Sequence, residues 1–255
     1  MAAVSVFPSQ SELGAALARL VAEAAAEAVA SSGRFTLGLS GGSMVPLLAR
    51  ELPPALRAVP GSDPSRWLVA FCDERLVPPE HPESTGGAYR AQLLSQFDAP
   101  PQVLWVRSEL GPAEAARDYE EQLRKAFPGQ APPRFDALLL GVGPDGHTAS
   151  LFPGHALLQE QDSLVSFLED SPKPPPQRVT MTLPLLNAAQ SLLVVAMGAS
   201  KAPVIKRILQ QQQQQQQQEL PPAPAARLRP RSGRLRWLLD REAAAELSGD
   251  PGKGP

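Results

Sequence analysis

Asp145 and His147 are the residues whose types and spacing are best suited to chemistry. They lie two positions apart in the glycine-rich segment 141–148, directly after an apolar run. A carboxylate beside an imidazole can fix its tautomer or stabilise the imidazolium, which leaves the other ring nitrogen free to activate water. A lone histidine is more often structural, but the flanking glycines and the place at a strand end favour an acid–base role.

The same segment matches the Gly-x-Gly-x-x-Gly pattern of dinucleotide-binding folds. Pro144 disrupts the helix start that such a site needs, and no clean strand ending in an acidic residue follows about twenty residues later. We therefore predict that the protein uses no dinucleotide, and the sequence indicates no other cofactor.

A second glycine-rich turn follows the first predicted strand and consists of Ser40, Gly41, Gly42 and Ser43. Two glycines allow a sharp turn from strand to helix, and the hydroxyls and the helix N-terminus offer donors to an anion. This pattern suits a phosphate site, although an ordinary glycine turn capped by Ser43 explains it equally well. The absence of a following Gly-Lys-Ser/Thr argues against a P-loop.

Four charged residues lie near other predicted strand ends. Asp73 and Arg75 follow a strand, where ligands gather in open α/β sheets. Asp73 could move protons and Arg75 could bind an oxyanion, but these residues alone favour a solvated salt-bridge cluster with Glu74. Arg178 heads a strand and Lys201 begins a helix, so both could complete a phosphate site, although either alone suggests ordinary surface charge.

Composition excludes several classes of protein. The single cysteine, Cys72, excludes an internal disulfide and a thiolate zinc cluster, and neither His81 nor His155 has partners at metal-ligand spacing, so we expect no metal. The formal net charge of −2 argues against nucleic acid as a partner. No apolar run reaches the roughly 18 residues of a membrane span, and we expect a cytoplasmic protein without membrane association.

The elements that must position these residues alternate between strands and helices. Ser9 and Glu12 have capping-box spacing at the start of an amphipathic helix. Alternating strands and helices predict one α/β domain with a mainly parallel sheet covered on both faces. The predicted strands are residues 35–39, 67–72, 103–106, 135–142, 179–182, 192–197 and 235–239, and the predicted helices are 45–56, 87–97, 113–126 and 201–209.

Low-complexity segments interrupt this pattern. Residues 210–218 are all glutamine, and prolines follow before the last strand. We interpret residues 210–225 as an insertion in a tolerant loop, because long loops cost little free energy, and assign it no function. The sequence does not decide whether the glutamines extend the preceding helix. Residues 173–176, Lys-Pro-Pro-Pro, are interpreted as a stiff connector, and residues 249–255 as a flexible tail.

Taken together, these motifs closely resemble the 6-phosphogluconolactonase family. The resemblance spans nearly the whole chain and excludes only the glutamines and the last residues. It is carried by residues 37–43 (LGLSGGS), 71–78 (FCDERLVP), 140–153 (LGVGPDGHTASLFP), 178–180 (RVT), 198 and 201 (Gly and Lys) and 237–240 (WLLD).

The resemblance implies a Rossmann-like, three-layer αβα domain over residues 1–248 and hydrolysis of 6-phospho-D-glucono-1,5-lactone in the oxidative pentose phosphate pathway. His147 would activate water, Asp145 would support His147, and Asp73 and Arg75 would complete the catalytic set. The charge on the carbonyl oxygen would be met by Arg75 or by N–H groups of the loops. We expect the lactone as the small-molecule partner and a monomeric enzyme. The residues implied to hold the 6-phosphate are Ser40, Gly41, Gly42, Ser43, Arg178 and Lys201.

Two other functions remain open on the sequence alone. Related deaminases of amino-sugar phosphates resemble the segment around His147, but they follow it with Asn-Glu-Pro, where this chain has Ser150 in Ser-Leu-Phe-Pro, and carry an aromatic residue in place of Arg75. After the position of Val77, many bacterial lactonases have a Ser-Asn pair, whereas this chain has Glu-Ser-Thr-Gly at residues 83–86. A sugar-phosphate-binding protein without catalysis is the other alternative, and intact Asp145 and His147 argue against it.

Overall fold

A computed structural model describes residues 2–213 and 222–247 of the chain. The helices are α1 (Gln10–Ser32), α2 (Met44–Ala58), α3 (Thr85–Gln92), α4 (Pro112–Ala126), α5 (Leu183–Leu186) and α6 (Ala202–Gln213). The strands are β1 (Ala3–Phe7), β2 (Phe35–Leu39), β3 (Trp67–Phe71), β4 (Asp73–Arg75), β5 (Gln102–Val103), β6 (Ala137–Gly141), β7 (Val165–Leu168), β8 (Arg178–Met181), β9 (Ser191–Ala196) and β10 (Arg234–Asp240).

Seven strands form one parallel sheet in the order β1-β10-β9-β6-β2-β3-β5. Alternate residues of the central strand β6 face two separate cores. Leu138 and Leu140 pack in a core shared with α4 and α6, whereas Leu139 packs in a core shared with α1 and α2. Burying each such leucine contributes roughly 1.5–3 kcal/mol. The prediction of a mainly parallel sheet covered on both faces is confirmed.

A second sheet, which the sequence analysis did not predict, contains three antiparallel strands in the order β4-β8-β7. The predicted strand at residues 179–182 belongs to this sheet. The register pairs Asp73 with Thr180 and Arg75 with Arg178. The charged segment of β4 shows no alternation of apolar and polar residues, so hydrophobic periodicity cannot reveal it.

The helix boundaries follow local signals. Ser9 caps α1, because its hydroxyl accepts a hydrogen bond from the Glu12 amide at 3.2 Å. Towards the other end of the chain, α6 continues into the glutamine run and is described as far as Gln213. After the gap, Ala225 is fully buried in a short turn. The predicted insertion therefore overlaps packed structure at both ends, while residues 214–221 and 248–255 lie outside the described part of the chain.

No helix within residues 2–213 and 222–247 is both long enough and apolar enough to cross a lipid bilayer. The longest of these helices, α1, covers 23 residues and carries charged side chains at intervals along its exposed face.

Candidate active site

The candidate site lies where the strand order changes direction. The chain runs outward from β2 through β3 and β5 and then returns to β6 on the other side of β2. Crevices at such switch points, beyond the carboxyl ends of the strands, are the usual ligand sites of open α/β sheets. The two strand ends are joined here, because the amide of Ser40 donates to the carbonyl of Leu139 at 3.1 Å.

A cavity of about 290 Å³ occupies this crevice. It brings together nine of the ten residues that the sequence predicted for the site: Ser40, Gly41, Gly42, Ser43, Asp73, Arg75, His147, Arg178 and Lys201. The tenth, Asp145, does not line the cavity but contacts two residues that do, His147 and Lys173. Residues from loops more than 100 positions apart therefore share one cavity.

Asp145 and His147 form a close pair. Oδ1 of Asp145 lies 2.5 Å from Nδ1 of His147. Because a carboxylate can only accept, Nδ1 carries the proton of the neutral imidazole, and Nε2 is left free. The loop is closed by a hydrogen bond of 2.9 Å from the Gly143 amide to the His147 carbonyl. A Cβ atom on Gly143 would lie 1.9 Å from the imidazole, so this position requires glycine.

The protonation states follow from the surroundings of the pair. Burial lowers the pKa of His147 below its ordinary value, and this outweighs the hydrogen bond and charge of Asp145, which raise it. Burial alone would raise the pKa of Asp145, but the hydrogen bond from His147 and the nearby positive charges hold it below its ordinary value. At neutral pH, the pair therefore consists of a carboxylate and a neutral imidazole that can accept a proton.

The turn at residues 40–43 is shaped to receive an anion. Ser43 precedes α2, but its hydroxyl makes no capping hydrogen bond. The alternative of an ordinary glycine turn capped by Ser43 is therefore wrong. Among the described residues, the buried Ser40 hydroxyl lacks a hydrogen-bond partner. A Cβ atom on Gly41 would lie 2.6 Å from the hydroxyl oxygen of Thr85, and Gly42 has a φ of 69°. The glycines thus give a compact turn with free hydroxyls at a helix start.

The charged triplet at residues 73–75 does not form the solvated cluster that the residues alone favoured. Asp73 is buried, and its Oδ2 accepts a hydrogen bond of 2.7 Å from the hydroxyl of Ser150. Glu74 points elsewhere and accepts from the amides of Thr85 and Gly86 at the start of α3. Glu74 is separated from Asp73 and Arg75, which both line the cavity, because successive side chains point to opposite faces of a strand.

Arg75 is the third member of the triplet and lines the cavity. Its Nη1 donates to Oε2 of Glu83 at 2.6 Å. Within the described ranges, Nε of Arg75 is buried and has no hydrogen-bond partner. Arg75 therefore lines the cavity and has one buried donor that no described residue uses.

The other two predicted cations differ in how much of their hydrogen-bonding capacity is used. Arg178 is only 2% exposed and donates to carbonyls of the segment before it. One of its terminal nitrogens, Nη1, lies 3.4 Å from the Ser150 hydroxyl, a long contact. Lys201 donates from Nζ to the carbonyl of Val142 at 2.8 Å. Burial and the charge of Lys173 lower the pKa of Lys201.

Sequence reasoning missed two residues of this region. Lys173, which the sequence places only in a stiff connector, lines the cavity beside His147. Ser150 is fully buried and lies between Asp73 and Arg178. The available signal for Lys173 was a single cation directly before three prolines and five residues before Arg178. No local pattern marks Ser150, because its contact with Asp73 joins residues 77 positions apart.

Comparison with known proteins identifies relatives of this chain. The family described as glucosamine-6-phosphate isomerases/6-phosphogluconolactonase matches residues 8–237. The 6-phosphogluconolactonase of Homo sapiens is 55% identical over 96% of this chain and 93% of its own length. A probable 6-phosphogluconolactonase of Drosophila melanogaster is 40% identical over 96% of both chains. The structure of 6-phosphogluconolactonase from Trypanosoma cruzi superposes with a TM-score of 0.80 at 26% identity, covering 98% of both chains.

Proposed function

The chain belongs to the glucosamine-6-phosphate isomerase/6-phosphogluconolactonase family, and we propose that His147 performs its chemistry. The chain is a lactone hydrolase that converts 6-phospho-D-glucono-1,5-lactone to 6-phospho-D-gluconate, a step of the oxidative pentose phosphate pathway, as the identity of 55% to a 6-phosphogluconolactonase supports. The single observation that carries the mechanism is the 2.5 Å contact between Nδ1 of His147 and Oδ1 of Asp145 at the edge of the cavity.

His147 acts first as a base and then as an acid. Nε2 removes a proton from water while the water oxygen attacks the C1 carbonyl of the lactone. The tetrahedral intermediate then collapses, the bond between C1 and the ring oxygen breaks, and the imidazolium returns the proton to the departing oxygen. Asp145 holds the ring and stabilises the imidazolium. General acid–base catalysis of this kind contributes about 10²–10⁴-fold.

The charge that develops on the carbonyl oxygen needs a donor that the resting enzyme does not use. Arg75 has such a donor, because its buried Nε has no hydrogen-bond partner among the described residues. We therefore assign Arg75 to the oxyanion and Asp73, buried beside the cavity, to the charge balance around it. A donor preorganised in a site shielded from water stabilises such a charge far better than it would in bulk water.

The 6-phosphate is assigned to the other side of the cavity. Its binding mainly positions the lactone, because the phosphate lies far from the reacting carbonyl. The free hydroxyls of the glycine turn and the start of α2 support this role. The positive charges of Arg178 and Lys201, which also line the cavity, support it as well. The assigned residues are Ser40, Gly41, Gly42, Ser43, Arg178 and Lys201.

Hydrolysis of freshly generated lactone, coupled to a 6-phosphogluconate dehydrogenase and corrected for the spontaneous rate, tests this assignment. We expect acceleration by the wild type and its loss in His147→Ala. Glucosamine 6-phosphate is tested in parallel for ammonia release. Ammonia release without lactone hydrolysis would replace the proposal with the deaminase alternative, and binding of 6-phosphogluconate without either activity would replace it with a binding protein.

We further propose that the enzyme works in the cytoplasm as a monomer, and that residues 1–248 form one lactonase domain with residues 249–255 as a dispensable tail. A phosphorylated sugar does not cross membranes freely, so its enzyme belongs in the compartment where the sugar is made. Cell fractionation and light scattering on a sizing column test location and mass. A chain that ends at residue 248 should keep full activity.

A further inference from the structure

Lys173 reaches the candidate base from a segment that the mechanism above does not use. Its Nζ lies 3.4 Å from Nδ1 of His147 and 3.9 Å from Oδ1 of Asp145. The side chain lines the cavity and is about 40% exposed. A positive charge at these distances interacts with both members of the pair.

The backbone of Lys173 is held in place on both sides. Ser171 accepts a hydrogen bond from the Lys173 amide at 3.2 Å and donates to the Lys173 carbonyl at 2.7 Å. Arg178 donates from Nη2 to the carbonyls of Lys173 and Pro174 and from Nε to the carbonyl of Pro175. The prolines carry no amide hydrogen and cannot donate backbone hydrogen bonds, so the contacts of Arg178 with this segment are made to its carbonyls.

Arg178 is thus built into the structure as a clamp on the segment that carries Lys173. A buried guanidinium is costly unless its donors are satisfied, and here most of them are satisfied by three successive carbonyls. This arrangement leaves Nη1 and the net charge of Arg178 for the phosphate role assigned above. It also explains how Lys173, in a proline segment outside the helices and strands, is held beside His147.

Nδ1 carries the proton that binds Asp145, so Lys173 cannot donate to Nδ1 and acts by charge. The charged groups that face the imidazole are Asp145, Lys173 and Asp73. The positive charge of Lys173 favours the carboxylate form of Asp145 and disfavours the imidazolium of His147. The imidazole therefore stays neutral at lower pH, and the imidazolium gives its proton to the departing oxygen more readily.

We propose that Lys173 is a positioning residue for the Asp145–His147 pair, and that Arg178 sets its place by clamping the carbonyls of residues 173–175. The inference rests on the proposed function, because it concerns the same acid–base pair. It distinguishes Lys173 from the cations assigned to the phosphate, since Lys173 should affect turnover and its pH dependence rather than substrate affinity.

The primary test replaces Lys173→Gln and measures kcat, KM and the pH profile of kcat/KM for lactone hydrolysis. We expect kcat to fall about tenfold with KM changed by less than about twofold. The acid limb of the profile should move to higher pH, because loss of the positive charge raises the pKa of His147. Lys125→Gln, on the exposed face of α4, is the matched control and should change none of these quantities.

A second test asks whether Arg178 acts through Lys173. Arg178→Lys keeps the charge but cannot clamp three carbonyls, so it should lower kcat and shift the acid limb in the same direction. The double variant should be about as slow as the slower single variant, because residues that act as a unit are not additive. Any phosphate contact of Arg178 appears separately in KM. If Arg178→Lys does not fold, Ser171→Ala weakens the other support of Lys173 and should shift the profile likewise.

The outcomes separate this inference from the proposed function. An inert wild type would remove the proposed function itself. With an active wild type, unchanged kcat and pH profile in Lys173→Gln would overturn the inference, and a higher KM alone would make Lys173 a phosphate ligand instead. Multiplicative effects of the Lys173 and Arg178 substitutions on kcat would refute the clamp.

Discussion

The two sheets contribute to the site in different ways. The large parallel sheet contributes two glycine-rich loops that line the cavity, at residues 40–43 and 141–148. The first loop carries serine hydroxyls and the second carries the imidazole of His147. The small antiparallel sheet contributes charged residues from its strands, namely Asp73, Arg75 and Arg178. The loops depend on conformations that glycine permits, whereas the strand residues depend on partners for buried charge.

Ser150 joins these two regions. It follows the loop of His147, donates to Asp73 at 2.7 Å and lies 3.4 Å from Nη1 of Arg178. Its amide also donates to the hydroxyl of Thr180 in β8 at 3.2 Å. Reacting groups can therefore lie on a glycine-rich loop where a buried polar contact fixes this loop to a rigid sheet.

The largest effect is expected from the loop of the large sheet. His147→Ala removes the base and should lower kcat by about 10²–10⁴-fold with little change in KM. Steady-state kinetics on the coupled lactone assay measure both constants. A variant that keeps its kcat while the fold is intact would show that water is activated elsewhere in the cavity.

The pH dependence of the wild type tests the same loop. The folded enzyme needs a neutral imidazole, and burial together with Lys173 lowers the pKa of His147. The value of kcat/KM should therefore fall to half its maximum only below pH about 6.5, the ordinary pKa of histidine. An acid limb centred above that pH would contradict the protonation state described for the Asp145–His147 pair.

Lys201 should show the opposite kinetic pattern. Lys201→Ala removes a cation assigned to the phosphate and should raise KM about tenfold, the size expected for one charge-assisted hydrogen bond, while kcat changes less. Inhibition by inorganic phosphate provides a second measurement and should weaken in parallel. A pure loss of kcat would move Lys201 from the phosphate to the reacting end of the lactone.

Ser150 tests the connection between the two sheets. Ser150→Ala leaves the buried Asp73 carboxylate without a hydrogen bond and should lower the free energy of unfolding by about 1–3 kcal/mol. Urea titration measures this change. The control is Ser95→Ala, because Ser95 is exposed and donates only to the nearby carbonyl of Ala91. Equal stability of the two variants would show that Asp73 is satisfied without Ser150.

The large sheet and its loops were predictable because their signals are local. Apolar runs mark the parallel strands, and glycines directly after them mark the loops that carry Ser40 and His147. The small sheet was not predictable from such signals, because its strand β4 consists of three charged residues and has no apolar run. Lys173 was missed for a related reason: its contact with His147 joins residues 26 positions apart and depends on how Arg178 folds the proline segment.

The smallest effect is expected behind the loop of His147, where the glutamine run meets the core. Gln212 accepts from the indole of the buried Trp237 at 3.1 Å and donates to the carbonyl of Leu228 at 3.3 Å. The segment it holds supports the loop, because the amide of Ala225 donates to the carbonyl of Gly146 at 3.1 Å. The start of the run is therefore part of the fold rather than a tolerant insertion.

Neighbouring glutamines on the same helix provide the matched comparison. Gln212→Ala should lower the free energy of unfolding by about 1 kcal/mol, because the indole loses its acceptor, and should leave kcat within about twofold. Gln213→Ala, at an exposed position of α6, should change stability by less than about 0.5 kcal/mol. Urea titration resolves the difference, provided that the variants unfold with the same dependence of free energy on urea concentration. Equal stability of the two variants would show that the hydrogen bonds of Gln212 do not stabilise the fold.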